Sequence, residues 1–241
     1  MESLETELER AKELDTDELA DAIESIGFEC TRCGACCKGY TDDGDKEPHT
    51  ATVFPDEVRQ LDGETPAEYE HRSDDVASGS RSDPPREWRD IARPMPYGLT
   101  EADDGEAEGE TFEWALQTDA CGDCTFYEED ESGTGACSVH ENRPLICRTY
   151  PFSVALGGTT QPMGEAVDGE GMVRAHECEG LGRDISREHA EELAAALKTR
   201  AVRELEEAIG VRDNYAPVER APGEVVVYDS EGAKRPDGTP R

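Results

Sequence analysis

The grouping of the cysteines constrains this chain more than any other feature. Nine cysteines occur in 241 residues, and four of them form the string Cys30-Thr-Arg-Cys33-Gly-Ala-Cys36-Cys37. A chain of this length buries enough apolar surface to fold without covalent cross-links, and an odd number of cysteines cannot pair completely into disulfides. Thiolates at Cys-x-x-Cys spacing are typical ligands of soft metals. The sequence therefore predicts a metal-binding fold with reduced cysteines.

The spacing within this string suggests which metal is bound. Cys30, Cys33 and Cys36 follow one another at two-residue gaps, which is how bacterial ferredoxins wrap a four-iron cluster, with the remaining ligand coming from distant sequence. Adjacent side chains point in different directions, so Cys36 and Cys37 are not expected to serve the same corner of one centre. One of them serves a second metal or is spare. We expect an iron–sulfur cluster of the 4Fe-4S type, with zinc as the alternative.

Charge limits the partners that this chain can have. The 58 acidic residues outnumber the 24 basic ones and give a net charge of −34. Such a surface repels phosphate backbones, so no nucleic-acid partner is expected. A low lysine content with many acidic residues resembles the composition of proteins from salt-loving archaea. In molar salt the Debye length falls to about 3 Å, so repulsion between the acidic side chains is screened. We interpret the charge as halophilic adaptation; disorder or a cation-binding surface, for example at residues 101–110, is the alternative.

The expected location is the cytoplasm. The first residues are mainly acidic where a secretory signal needs a basic start and an apolar run. No stretch approaches the roughly 18 apolar residues of a membrane span, so no membrane partner is expected. Reducing cytosol also argues for metal ligation over disulfides.

Apolar periodicity and turn residues predict an α+β fold with a single cysteine-rich, loop-rich metal-binding domain, short strands and flanking helices. An N-terminal helical segment is expected over residues 1–27. The metal-binding domain follows over 28–215 and includes a long helix that is capped by Asp184 or Ser186 and ends at Gly210. Residues 73–110 are expected to be irregular, a hairpin is expected around Gly157-Gly158, and residues 216–241 should form an extended, largely disordered tail.

A second cysteine block carries a resemblance to a known family. It contains the strings Cys124-Thr-Phe-Tyr and Cys137-Ser-Val-His, followed by Glu141-Asn-Arg-Pro-Leu-Ile-Cys147-Arg-Thr-Tyr-Pro-Phe, with Cys178 further on. Together with the first string, these residues resemble the YkgJ-type cysteine-cluster family, a CxxCxxCC zinc- or iron-chelating domain. The resemblance spans roughly residues 28–180 and implies metal chelation by eight cysteines: Cys30, Cys33, Cys36, Cys37, Cys124, Cys137, Cys147 and Cys178.

Several residues near these cysteines need a separate interpretation. Cys121 departs from the family pattern and is either an additional ligand or a bystander. His140 and His176 lie close to cysteines but are more often hydrogen-bonded surface or supporting groups, so we leave them out of the ligand set. Arg143 and Arg148 flank Cys147, where a cation would offset thiolate charge. Eight such cysteines fill either one centre with spares or two four-thiolate centres.

Three functions fit such a site. The first is iron–sulfur electron transfer with an unidentified redox or protein partner, and the second is a zinc-binding structural or interaction module. The third, a cluster-containing protein-modifying enzyme related to flagellin lysine methylase, rests on the resemblance alone. The sequence shows no independent catalytic motif, because the usual radical S-adenosylmethionine motif, a nucleotide fingerprint and a nucleophile elbow are all missing. Catalysis, if any, would be that of an iron–sulfur oxidoreductase.

Overall fold

A computed structural model describes residues 2–42, 45–62, 86–102, 105–156, 166–168 and 171–241. The described residues form an α+β fold, as predicted. The helices are α1 (Leu4–Glu13), α2 (Thr16–Ile26), α3 (Pro55–Asp62), α4 (Trp88–Ile91), α5 (Leu145–Thr149) and α6 (Arg187–Asn214). Short 3-10 turns occur at Ala35–Cys37 and His140–Asn142.

Fourteen short strands are described. They are β1 (Tyr40–Asp42), β2 (Asp45–Glu47), β3 (Thr52–Val53), β4 (Ala92–Pro94), β5 (Leu99–Glu101), β6 (Ala107–Thr111), β7 (Trp114–Leu116), β8 (Tyr127–Glu129), β9 (Gly135–Cys137), β10 (Phe152–Val154), β11 (Ala166–Asp168), β12 (Val173–His176), β13 (Val225–Asp229) and β14 (Gly232–Lys234). They form small sheets in the orders β1-β2, β3-β7-β4, β8-β9, β10-β12-β11 and β14-β13-β6-β5. No sheet among the described residues exceeds four strands.

One half of the molecule, which we call the helical half, packs α1, α2 and α6 against β10 and β12. Its core is apolar and continuous, and Ile23, Leu197 and Phe152 are among its fully buried members. Phe28 meets Phe152 edge to face, with ring centroids 5.7 Å apart. Local signals explain the helix ends, because the Ser186 hydroxyl caps α6 and Gly27 ends α2 with a positive φ of 77°. The α6 cap was predicted, but the helix runs past Gly210 to Asn214.

The other half, the cysteine half, is built from α3, α4, α5 and strands β3, β4, β7, β8, β9, β13 and β14. A second apolar cluster lies at its centre, where Trp114, Ile91, Val58 and Val227 are almost completely buried. Four cysteines border or belong to this cluster: Cys37, Cys124, Cys137 and Cys147. From α6, the buried Arg200 connects the halves, because its guanidinium donates to Thr149 Oγ1 at 2.9 Å and to the Phe152 carbonyl at 3.3 Å.

The prediction of a disordered tail at 216–241 is wrong. Strand β13 pairs in parallel with β6 and antiparallel with β14. The charges that suggested disorder neutralise one another inside the fold, since Lys234 Nζ lies 2.8 Å from Asp229 Oδ2 and both side chains are almost fully buried. Trp114 Nε1 also donates to Asp229 Oδ2 at 2.8 Å. Burial of Val226, Val227 and Tyr228 and the pairing of β13 order this segment, and the ion pair satisfies the charges that are buried with it.

Two further expectations need correction. Residues 73–110 were expected to be irregular; 73–85 lie outside the described residues, but α4, β4, β5 and most of β6 fall in the rest. The predicted hairpin joined 152–156 to 163–167, whereas β12 lies between β10 and β11 and pairs with both. Its turn, Gly157-Gly158, is outside the described residues. The division into segments 1–27 and 28–215 stays a prediction.

We searched the described residues for a helix long and apolar enough to span a membrane and found none.

Candidate metal centre

The first cysteine string forms a tight loop that follows α2. Its sharp turns need positive φ angles, at Arg32 (58°) and at Gly34 (77°). A Cβ at Gly34 would lie 2.2 Å from the Tyr127 hydroxyl oxygen, and the positive φ strains any other residue, so this position favours glycine. The loop is also tied to the second block, because the Gly135 amide donates to the Arg32 carbonyl at 2.7 Å. The loop that carries four of the predicted ligands is therefore fixed by backbone contacts.

Cys178 approaches this loop through a short backbone ladder. Phe28 and Leu181 form an antiparallel bridge, and the Glu29 amide donates to the Gly180 carbonyl at 3.0 Å. A Cβ at Gly180 would lie 2.3 Å from the Glu29 carbonyl oxygen, which shows how closely the two chains approach. Cys30 directly follows one strand of this ladder, and Cys178 lies two residues before Gly180 at the start of the other. The structure thus brings the last cysteine beside the first.

Cys124 and Cys137 reach the other side of the first string. The Cys124 amide donates to the Cys37 carbonyl at 2.7 Å, and the Tyr127 amide donates to the Cys124 carbonyl at 2.9 Å. Cys137 ends β9 directly opposite Tyr127 in β8. Cys124 is 7% exposed. These contacts place Cys37, Cys124 and Cys137 around one corner of the cysteine half.

Cys147 lies on the short helix α5, which sequence reasoning did not predict. Glu57 of α3 positions this helix, because its Oε1 accepts from the Leu145 amide at 2.8 Å while its Oε2 accepts from the Phe54 amide at 3.0 Å. Burial raises the pKa of Glu57. The sequence signal for its role was a Glu three residues after Phe54 at a helix start, which caps α3. Its second bond, across to α5, had no local signal.

The loop around Cys121 connects the two blocks but leaves this cysteine outside. Asp123 accepts from the Gly39 amide at 2.8 Å and from Lys46 Nζ at 2.7 Å. The Cys121 amide donates to Asp119 Oδ1 at 2.8 Å, and its side chain is exposed. The role of Cys121, as an additional ligand or a bystander, stays a prediction.

The thiols influence one another electrostatically. Burial raises the pKa of Cys147 well above its ordinary value, and the charges of Cys124, Cys36 and Cys137 add to this effect. Burial likewise raises the pKa of Cys124 to about 11 and raises that of Cys178, to which Cys36, Cys33 and Cys30 contribute. Contact with the Cys37 sulfur raises the pKa of Cys36. Without a cation these thiols hold their protons, and a bound metal would displace them.

The positions of the sulfur atoms show to what extent a metal site is assembled. The Sγ atoms of Cys36 and Cys37 are 3.8 Å apart, and all nine cysteines are free thiols. Among the described residues, no three His, Cys, Asp or Glu side chains are positioned to hold a metal ion together. The donor set nevertheless fits the group that the sequence implies, since thiols are the ligands preferred by zinc and by iron–sulfur clusters and backbone hydrogen bonds join the loops that carry them.

The residues beside the cysteines take supporting positions. His140 is exposed and lies near Glu141, with a nitrogen-to-oxygen distance of 3.3 Å. His176 is buried, and its Nε2 lies 2.8 Å from Ser153 Oγ. Burial raises the pKa of Cys137, and the Arg143 charge partly offsets this by lowering it. Arg148 is exposed. The Tyr150 hydroxyl donates to the Glu177 carbonyl beside Cys178.

A comparison with protein-family models decides the relationship of this chain. The model of the CxxCxxCC family, described as "Putative zinc- or iron-chelating domain", matches residues 29–179. The chain belongs to the CxxCxxCC family. The matched range includes all nine cysteines, so the CxxCxxCC domain spans both loops of the site and metal binding is supported. A search of curated proteins found no match to the chain, and a search of solved structures found none.

Proposed function

We propose that this CxxCxxCC domain holds an iron–sulfur cluster of the 4Fe-4S type and serves in electron transfer. One observation carries the proposal: the Cys30, Cys33 and Cys36 loop is joined by a backbone ladder to a segment that brings Cys178 beside Cys30. Three cysteines at two-residue gaps with a fourth from distant sequence are the ligand pattern of four-iron ferredoxin clusters.

The residues of this chain would perform the supporting tasks. The thiolates hold the group, which when bound supplies reversible one-electron chemistry. The apolar cluster behind Cys124 and Cys147 excludes water, and cluster burial is one determinant of reduction potential. Arg143 lies close enough for its charge to act on the Cys36 and Cys137 thiols. With a net charge of −34, the surface favours a redox partner with a basic docking face.

The test is anaerobic purification in high salt from iron-replete cells, followed by iron, sulfide and zinc analysis on one sample. A brown protein with equal amounts of iron and sulfide, and a reversible one-electron reduction in a potentiometric titration, supports the proposal. The double variant Cys30→Ser and Cys178→Ser should lose the absorption, while Cys121→Ser should keep it. A colourless protein that carries only zinc would refute the redox function.

Zinc is the second candidate, and a specific distance favours it. Two thiolates bound to one tetrahedral zinc at about 2.3 Å lie about 3.8 Å apart. This equals the separation of the Cys36 and Cys37 sulfurs, which is 3.8 Å. In this case the metal would stabilise the cysteine half without redox chemistry, and the same metal analysis distinguishes the two candidates.

A further inference from the structure

We infer that the eight cysteines form two neighbouring four-thiolate centres, an inference that rests on the proposed metal-binding function. The first centre consists of Cys30, Cys33, Cys36 and Cys178. The second consists of Cys37, Cys124, Cys137 and Cys147. Each is a site for one soft metal centre, either a zinc ion or an iron–sulfur cluster. The sequence leaves both arrangements open, and its central expectation is one iron–sulfur cluster.

Backbone contacts assign Cys178 to the first centre. The ladder that pairs residues 27–29 with residues 180–182 contains two hydrogen bonds of 3.0 Å, from the Glu29 amide to Gly180 and from the Gly182 amide to Gly27. Since the strands are antiparallel, Cys30 and Cys178 leave the ladder at the same end. Cys178 also contacts the apolar core of the helical half, and the Cys-x-x-Cys-x-x-Cys spacing supplies the other two ligands.

Different contacts assign the second centre. The Cys37 carbonyl accepts from the Cys124 amide at 2.7 Å, and Cys137 ends the hairpin that begins at Tyr127, three residues after Cys124. Cys147 is held near them by the bond between Glu57 and the Leu145 amide. All four cysteines contact the apolar cluster of the cysteine half. The second group therefore lies against the apolar cluster of the cysteine half, whereas Cys178 of the first group packs against the core of the helical half.

The boundary between the groups runs between Cys36 and Cys37. These two residues share the 3-10 turn Ala35–Cys37, and their sulfurs are 3.8 Å apart. The two centres would thus be immediate neighbours. The same distance also suits two ligands of a single metal. That arrangement is the competing one, and it predicts one metal per chain with Cys36 and Cys37 bound together.

Zinc alone is the probe for counting centres. The metal-free full-length chain is loaded with an excess of Zn²⁺, freed of unbound metal, and its zinc content is determined by native mass spectrometry. Two centres predict two zinc ions per chain, one in Cys178→Ser, one in Cys137→Ser and none in the double variant. Cys121→Ser is the matched control and should keep two. A wild-type chain that binds one zinc overturns the inference.

Alkylation provides a second measurement that needs no variant. The zinc-loaded wild-type chain is treated with N-ethylmaleimide, and the modified cysteines are mapped by peptide mass spectrometry. Two centres predict protection of all eight cysteines and modification of Cys121, whereas one centre leaves four or more of the eight modified. Both measurements use zinc, so they count centres without requiring an iron–sulfur cluster. If the chain binds two zinc ions but never assembles iron and sulfide, the two-centre inference stands and only the proposed electron transfer is refuted.

Discussion

The helical half and the cysteine half are stabilised in different ways. In the helical half, three helices bury a continuous apolar core, including Ile23 and Leu197. In the cysteine half, most strands have two or three residues, and four cysteines contribute to its core. Strands this short are marginal alone, so we expect the first half to be stabilised by apolar burial and the second to need, beside its own apolar cluster, a ligand that joins its thiols.

Metal withdrawal should give the largest effect and tests this comparison directly. A structural metal contributes on the order of 10 kcal/mol to small metal-dependent domains. With a chelator present, we expect hydrogen exchange at residues 30–38 and 119–149 to approach that of unfolded chain, while the centre of α6 stays protected. Hydrogen-exchange mass spectrometry measures both regions in one sample. Equal loss of protection in α6 would show that the halves unfold as one unit.

Much of the helical half was predictable because its signals are local. The Ser186 cap and the apolar stripe through Leu193 and Leu197 indicated α6, and Gly27 indicated the end of α2. Helix periodicity and capping depend on residues within a few positions of one another, so a single sequence contains them. The end of α6 was missed because Gly210 is tolerated inside the helix, packed against Ser230.

The cysteine half was less predictable because its contacts are between distant residues. The spacing gave Cys30, Cys33 and Cys36, but nothing local indicates that Cys178 meets Cys30 through the Phe28 and Leu181 bridge. The Lys234 and Asp229 pair gave a misleading signal, since charge in a short segment usually indicates exposure. Burial of both charges is explained only by their partners in the fold.

Lys234→Met should show that part of the cysteine half is held without metal. The substitution leaves the Asp229 carboxylate buried with only the Trp114 indole and the Glu231 amide as partners. Removing one partner of a buried pair costs about 3 to 5 kcal/mol. Denaturant unfolding of the metal-loaded protein measures the loss. The control, Arg235→Met, removes the same charge from the neighbouring exposed position and should cost much less.

Leu197→Ala applies the comparison to the helical half. Leu197 of α6 is 1% exposed and lies in the core of the helical half. Truncation of a buried leucine costs about 2 to 5 kcal/mol of unfolding free energy. We expect this loss in unfolding free energy with unchanged zinc or iron content, because the substitution removes no thiol, although Cys178 packs against the same core. Glu192→Ala, on the exposed face of the same helix, should change stability by about 0.5 kcal/mol or less. Loss of metal in Leu197→Ala would contradict the independence of the halves.

The smallest expected effect is a pH dependence within the cysteine half. Burial lowers the pKa of His49 from 6.5 to about 4, and the Arg93 charge acts in the same direction. Below pH 6.5 the His49 imidazole therefore binds a proton in the unfolded chain, whereas in the folded chain it stays neutral down to about pH 4. Folding stability should fall between pH 6.5 and 4, by at most about 3 kcal/mol, and the loss should be complete below pH 4.

The His49→Gln variant isolates this contribution from that of the thiols. Acid also releases metal from thiolates, but that loss is common to wild type and variant, so the difference between their stability curves reports His49. We expect the stability of the wild type relative to the variant to fall as the pH falls from 6.5 to 4, since only the wild type contains His49. His140→Gln removes an exposed imidazole from the same half and should run parallel to wild type. A parallel His49→Gln curve would show that His49 is solvated in the folded protein.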